Sequence, residues 1–203
     1  MGNKKVLLIL VLTLVFVLVG ATVLYDQLSG MADPEQLMTQ RTEPPAPDGT
    51  EPPAPDGTEP TRVERPKAPD FTVYDADGKA VKLSDYFGKP IVLNFWASWC
   101  GPCKMEMPDF QKKYLELGNE IQFLMVNATG GRETVESAKS FLAGTEYTFP
   151  VLFDADADAS ATYSVYYLPT TYFIDAQGHL VARAISAIDA ETLQRGIDMI
   201  TAS

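Results

Sequence analysis

The sequence predicts a three-layer α/β domain built on a mixed sheet, carried behind one transmembrane helix and a proline-rich linker. Three observations lead there. Between residues 66 and 203, short apolar runs alternate with helical stretches, and strands alternating with helices imply a sheet covered on both faces. Hairpin signals, Asp77-Gly78 and Gln177-Gly178, stand near the two ends of that region. Ahead of it lie a long apolar run and then a stretch dense in proline.

The apolar run occupies residues 6–24 and is interrupted only by Thr13, Gly20 and Thr22. A run of about 20 residues matches the hydrocarbon core of a bilayer. A cleaved signal peptide would have a shorter apolar region followed by a small-x-small site, whereas Gly20-Ala21-Thr22 is followed by more apolar residues. No cysteine stands there to carry a lipid. Residues 1–25 therefore read as an uncleaved signal anchor. Lys4 and Lys5 precede the span while Asp26, Asp33 and Glu35 follow it, so the positive-inside rule expects the N-terminus in the cytoplasm and residues from 26 onward outside.

Residues 26–65 show no apolar periodicity and contain a tandem octapeptide, EPPAPDGT at 43–50 and again at 51–58. Closely spaced proline forbids helix and favours extended polyproline geometry. The expectation is a disordered spacer that holds the following domain, residues 66–203, off the membrane, reaching about 120 Å if fully extended.

Within that domain, residues 71–74 and 80–83 form a hairpin, and 84–87 a turn of helix. Residues 91–96, all large and mostly apolar, suit a buried central strand. A helix is expected over about 102–117, a strand over 121–126, a helix over 133–143 and a short strand over 150–153. A short helix follows from about 158 to 163. A second hairpin joins 171–174 to 180–184, and 190–200 closes the chain as a helix. Hydrophobic residues make up 46% of the chain, enough for a core. The net charge of −11 argues against nucleic acid or an anionic membrane surface as partner.

FWASWCGPCKMEMP, residues 95–108, holds the only two cysteines. A structural zinc site would need two more ligands, and His179 is the sole histidine. A disulfide across two intervening residues constrains little chain, so a stabilising staple is a poor explanation. An incidental pair remains the plain alternative to redox chemistry. Strand–CxxC–helix gives the redox reading its physics. Cys100 falls where the strand hands over to the helix, so its sulfur faces unsatisfied N–H groups and the positive end of the helix dipole, which favour thiolate. Cys103, three residues on, shares that face and is close enough for a disulfide. Pro102 sits early in the helix, where its missing N–H costs nothing.

Trp99-Cys100-Gly101-Pro102-Cys103 after a buried strand resembles the thioredoxin active site. Pro108 matches that family's helix proline, and Leu168-Pro169-Thr170-Thr171 resembles its cis-proline loop. The resemblance spans about residues 66–203 and implies a thioredoxin-like fold. The anchor, an extra N-terminal hairpin and Glu106 are similar to the TlpA/ResA group of thiol-disulfide oxidoreductases. Where thioredoxin carries a buried aspartate, Asn94 stands here. Glu106, three residues after Cys103, is an acid that group also carries, and a carboxylate there can take the Cys103 proton; an exposed helix glutamate is the bland reading.

The resemblance then implies a membrane-tethered reductase of protein disulfides. Cys100 attacks, Cys103 resolves with Glu106 as base, and no cofactor is needed. Pro169 is expected to be cis, leaving the Leu168 backbone to pair with an extended substrate. Trp99, Gly101 and Pro102 shape the rim, and Trp96 is read as structural. Implied partners are a protein disulfide client such as apocytochrome c and an integral membrane thiol donor. Gly-Pro between the cysteines matches thioredoxin, at about −270 mV, better than oxidants near −120 mV.

Three other classes compete: a thiol peroxidase, a copper-delivery module, and a non-catalytic binding or scaffolding domain. Peroxiredoxins carry proline and threonine ahead of a single peroxidatic cysteine, where Ala97-Ser98-Trp99 stands here. A Sco-type copper-delivery module needs wider cysteine spacing and a ligand histidine. Asp154, Asp156 and Asp158 resemble the start of a calcium loop, but Ala159 and Val165 occupy the positions that need glycine and glutamate. They read as loop acids and a helix cap. Gly130-Gly131 lacks the lysine-serine pair of a phosphate loop. His179 reads as a solvated hairpin residue.

Overall fold

A computed structural model describes residues 65–202 together with the backbone of Met38–Thr39. The expected anchor at 1–25, the tandem octapeptide and, apart from Met38–Thr39, the rest of the linker up to residue 64 lie outside the described residues. Among the described residues no helix is long and apolar enough to cross a membrane.

The strands are β1 (Met38–Thr39), β2 (Thr72–Tyr74), β3 (Ala80–Lys82), β4 (Ile91–Trp96), β5 (Gln122–Asn127), β6 (Val151–Phe153), β7 (Thr170–Ile174) and β8 (Leu180–Ile185). The helices are α1 (Gly101–Leu117), α2 (Val135–Ala143), α3 (Asp158–Thr162) and α4 (Ala190–Thr201), with a 3-10 turn at Leu83–Tyr86. One mixed sheet runs in the order β1-β8-β7-β4-β5-β6-β2-β3. β4 pairs in parallel with β5 and antiparallel with β7. The β2–β3 hairpin turns through Gly78, whose φ of 80° suits glycine. β1 lies within the stretch expected to be spacer and pairs with β8 through Met38–Arg183 and Thr39–Ala182.

β4 shows why the domain has three layers. Its six residues are all buried, and successive side chains point to opposite faces. Ile91, Leu93 and Phe95 pack with Phe71, Leu83, Tyr163 and Tyr172 on one face. Val92 and Trp96 pack with Phe110, Phe173, Leu193 and Ile197 on the other, beneath α1 and α4. Asn94 falls on this second face by the same alternation. A fully buried polar side chain in such a strand needs a partner.

The sequence misjudges one helix start. Glu133 was expected to open a helix, but Thr134 is the cap, its hydroxyl accepting from Ser137 N–H, and α2 begins at Val135. Glu133 stays in the preceding turn, nearly fully buried. The Asp154 carboxylate accepts from the N–H groups of Ala159 and Ser160 at the start of α3. His179, expected to be solvated, is half-buried with Nδ1 3.2 Å from Asp175 Oδ2.

Candidate active site

The handover from β4 to α1 places the two cysteines. Ala97 N through Trp99 forms the connecting loop, and Cys100 is the N-cap of α1, its Sγ accepting from the Cys103 N–H at 3.2 Å. Pro102 falls in the first turn, and no acid stands there to oppose a thiolate at the positive helix end. A disulfide joins Cys100 to Cys103, with the Cα atoms 5.3 Å apart. Cys103 is fully buried, while Cys100 is slightly accessible between exposed Trp99, Gly101 and Pro102. An incoming disulfide therefore meets the Cys100 sulfur first.

The inner face of α1 continues from Cys103 through Glu106, Met107 and Phe110, the spacing that stacks side chains on one helix face. Glu106 is thus not an exposed helix acid; it is 2% exposed. Its Oε1 accepts from Asn94 Nδ2 at 2.8 Å and its Oε2 from Ile188 N–H, in the loop before α4, at 3.0 Å. Burial pushes its pKa from the usual 4.5 up to about 7, and the Ile188 and Asn94 bonds oppose that rise only in part. A carboxyl that titrates near neutral pH is matched to taking and returning a proton there.

Asn94 therefore does more than vacate a position for an acid. Its Nδ2 also reaches Thr171 Oγ1 at 3.0 Å, tying β4, β7 and α1 together, while its Oδ1 has no partner among the described residues. Next to Thr171, the Leu168–Pro169 bond is cis and Pro169 is buried. The Ser186 N–H donates to Pro169 O at 2.9 Å, and no backbone hydrogen bond engages Leu168 among the described residues. Tyr166 and Tyr167, just upstream, are largely exposed.

A second buried carboxylate holds the loop itself. Glu133 accepts from the Ser98 N–H at 3.1 Å, the Ser98 hydroxyl at 2.9 Å and Asn127 Nδ2 at 3.0 Å. Beside it the Arg132 guanidinium lies over Trp99, 3.8 Å from the ring centre. The structure brings together Cys100, Cys103, Trp99, Gly101 and Pro102, and places Glu106 one turn along α1. Sequence reasoning missed the partnership of Asn94 and Ile188 with Glu106, and missed Arg132 and Glu133. The Asn94 signal was present, since a polar residue inside IVLNFW demands a partner; nothing local marks the others. Among the described residues no cluster of His, Cys, Asp and Glu has the makings of a metal site.

Comparison with known proteins gives concordant relatives. The AhpC/TSA family pattern matches residues 65–183. The thiol-disulfide oxidoreductase ResA of Bacillus cereus is 38% identical over 138 residues, covering 66% of this chain and 77% of that protein. The crystal structure of a thiol:disulfide interchange protein DsbE from Chlorobium tepidum superposes with a TM-score of 0.59 at 32% identity, over 66% of this chain and 94% of that one. The exposed lipoprotein thioredoxin of Streptococcus pneumoniae superposes with a TM-score of 0.57 at 34% identity, over 64% of this chain and 99% of that one.

Proposed function

The chain belongs to the AhpC/TSA family of thioredoxin-like proteins and is a thiol-disulfide oxidoreductase, and from that premise we propose that it reduces protein disulfides outside the cytoplasm. One observation carries the order of attack: an accessible-side sulfur at a helix N-terminus is backed by a buried sulfur and, one turn on, a buried carboxyl titrating near 7. The Cys100 thiolate attacks a substrate disulfide, forming a mixed disulfide and expelling one substrate thiolate. Cys103 gives its proton towards Glu106 and attacks Cys100 Sγ. The second substrate thiol leaves, and the Cys100–Cys103 disulfide re-forms.

Location supports the same reading. Lys4 and Lys5 ahead of the apolar run favour an N-in anchor with the catalytic domain outside. An oxidising compartment holds no soluble reductant, so the pair needs an integral membrane thiol donor. The family resemblance makes apocytochrome c a fitting client. Peroxide turnover, the rival within the wider family, lacks its proline and threonine at Ala97-Ser98-Trp99.

A trapping experiment tests the cycle. With oxidised insulin as substrate, Cys103→Ser should accumulate a mixed disulfide through Cys100, and Cys100→Ser should capture nothing. Equal capture by both variants, or by neither, overturns the order of attack. A reporter fused after Ser203 that works only in the cytoplasm overturns the topology.

A further inference from the structure

β4 and β5 run parallel, so the loops that follow them leave the same end of the sheet side by side. Backbone pairing continues one step further, the Ala128 N–H donating to Trp96 O at 2.9 Å. The loop after β5 then closes on itself: Gly130 and Glu133 exchange two backbone hydrogen bonds of 2.9 Å. Gly130 and Gly131 have φ of 140° and 59°, conformations that favour glycine. The Glu133 carboxylate, buried and satisfied by three donors, fastens this turn to Ser98, two residues before the nucleophile.

Arg132 projects from that fastened turn. Its guanidinium stacks on Trp99, which is 45% exposed and immediately precedes Cys100. Arg132 is exposed and pairs with no carboxylate among the described residues. The neighbouring Glu133 charge faces inward to Ser98 and Asn127, so a molecule approaching Cys100 meets the cation. In a chain of net charge −11, a cation held at the nucleophile runs against the prevailing charge, and general solubility does not account for it. Stacking on a ring face leaves the guanidinium edge free, and that edge is the fork that fits a carboxylate.

We propose that Arg132, held by the Glu133 turn and stacked on Trp99, is a specificity-determining residue that selects disulfides flanked by carboxylates. The assignment rests on the dithiol reading above. The reaction it biases is balanced: the reduced chain gives two electrons and two protons to R–S–S–R, the Cys100–Cys103 bond forms, the substrate S–S bond breaks, and two R–SH leave.

The test uses the reduced full-length chain in detergent with three small disulfides of matched length: 3,3′-dithiodipropionate, cystamine and 2-hydroxyethyl disulfide. Stopped-flow tryptophan fluorescence gives each rate. The wild type should reduce the dianion faster, relative to the dication, than Arg132→Gln does, by about fivefold, as expected of one partly exposed charge contact. Arg132→Glu should lower the ratio further. Lys112→Gln, which removes an equal charge nine residues beyond Cys103 along α1, should leave the ratio unchanged. The preference should shrink in 1 M salt, where screening acts within about 3 Å. An anion-to-cation ratio that is the same in wild type, Arg132→Gln and Arg132→Glu overturns the role of Arg132 while sparing the reductase. A wild type that fails to reduce even the neutral disulfide overturns the reductase reading, and the assignment with it.

Discussion

Replacing Glu106 by glutamine separates what this carboxyl does for the fold from what it does for the reaction. Its folded-state pKa of about 7 lies above the usual 4.5, so the folded chain holds that proton more tightly than the unfolded chain. Its contribution to stability is therefore fully present below about pH 4.5 and is lost as pH rises to about 7; above that, the folded chain carries the whole cost of a buried charge. The difference between about 7 and 4.5, at about 1.36 kcal/mol per pH unit, comes to about 3 kcal/mol. Glutamine keeps the shape and stays neutral. Its oxygen can accept from Ile188 N–H, and an Asn94 amide flip presents the unpartnered Oδ1 to the new NH2 group. Glu106→Gln should therefore raise stability by up to about 3 kcal/mol at pH 8.5 and by close to nothing at pH 4.5. The assay is urea unfolding of the oxidised protein and its variant at both pH values. The same preparation, reduced and followed by stopped flow, should resolve mixed disulfides at least about tenfold more slowly near neutral pH, because the base is gone. The first attack by Cys100 should change less, since the helix terminus activates it. A stability difference that is identical at the two pH values refutes the buried-carboxyl argument. An unaltered resolution rate at every pH refutes the role as base.

Two further substitutions probe the supports of the site. Glu133→Ala strands the Ser98 N–H and Asn127 Nδ2 as donors without an acceptor, so it should cost about 2–3 kcal/mol and slow disulfide reduction by loosening the loop before Cys100; unchanged stability by urea unfolding would show that water replaces the carboxylate freely. Gly196→Ala should destabilise by about 1–3 kcal/mol despite alanine's better helix propensity, because a Cβ on α4 would run into the Phe173 ring; a rise in Tm would show that the ring moves aside.

Much of this architecture is written in local signals. β4 reads directly from IVLNFW, and α1 from the Gly-Pro turn that opens it, because period and capping act over a few residues. The cysteine pair is equally local. Glu106 was legible as a position on a helix face but not as an environment: its partners, Asn94 on β4 and the Ile188 N–H before α4, meet α1 only in three dimensions. Glu133 shows the opposite failure. An acid ahead of VESAKSFLA looks like the first turn of a helix, yet its hydrogen bonds to Ser98 and Asn127 hold it in the turn, and Thr134 takes the cap. The contact between Arg132 and Trp99 spans two loops 33 residues apart, and no pattern in either loop announces it.

The reduction potential of the Cys100–Cys103 pair tests the central claim most directly. Equilibrating the full-length chain against a dithiothreitol series and quantifying the thiol form by alkylation gives it in one titration. A reductase of protein disulfides with Gly-Pro between its cysteines should lie near thioredoxin, at about −270 mV. A value near −120 mV, where strong oxidants sit, would contradict the account and make the chain a donor of disulfides rather than a consumer of them.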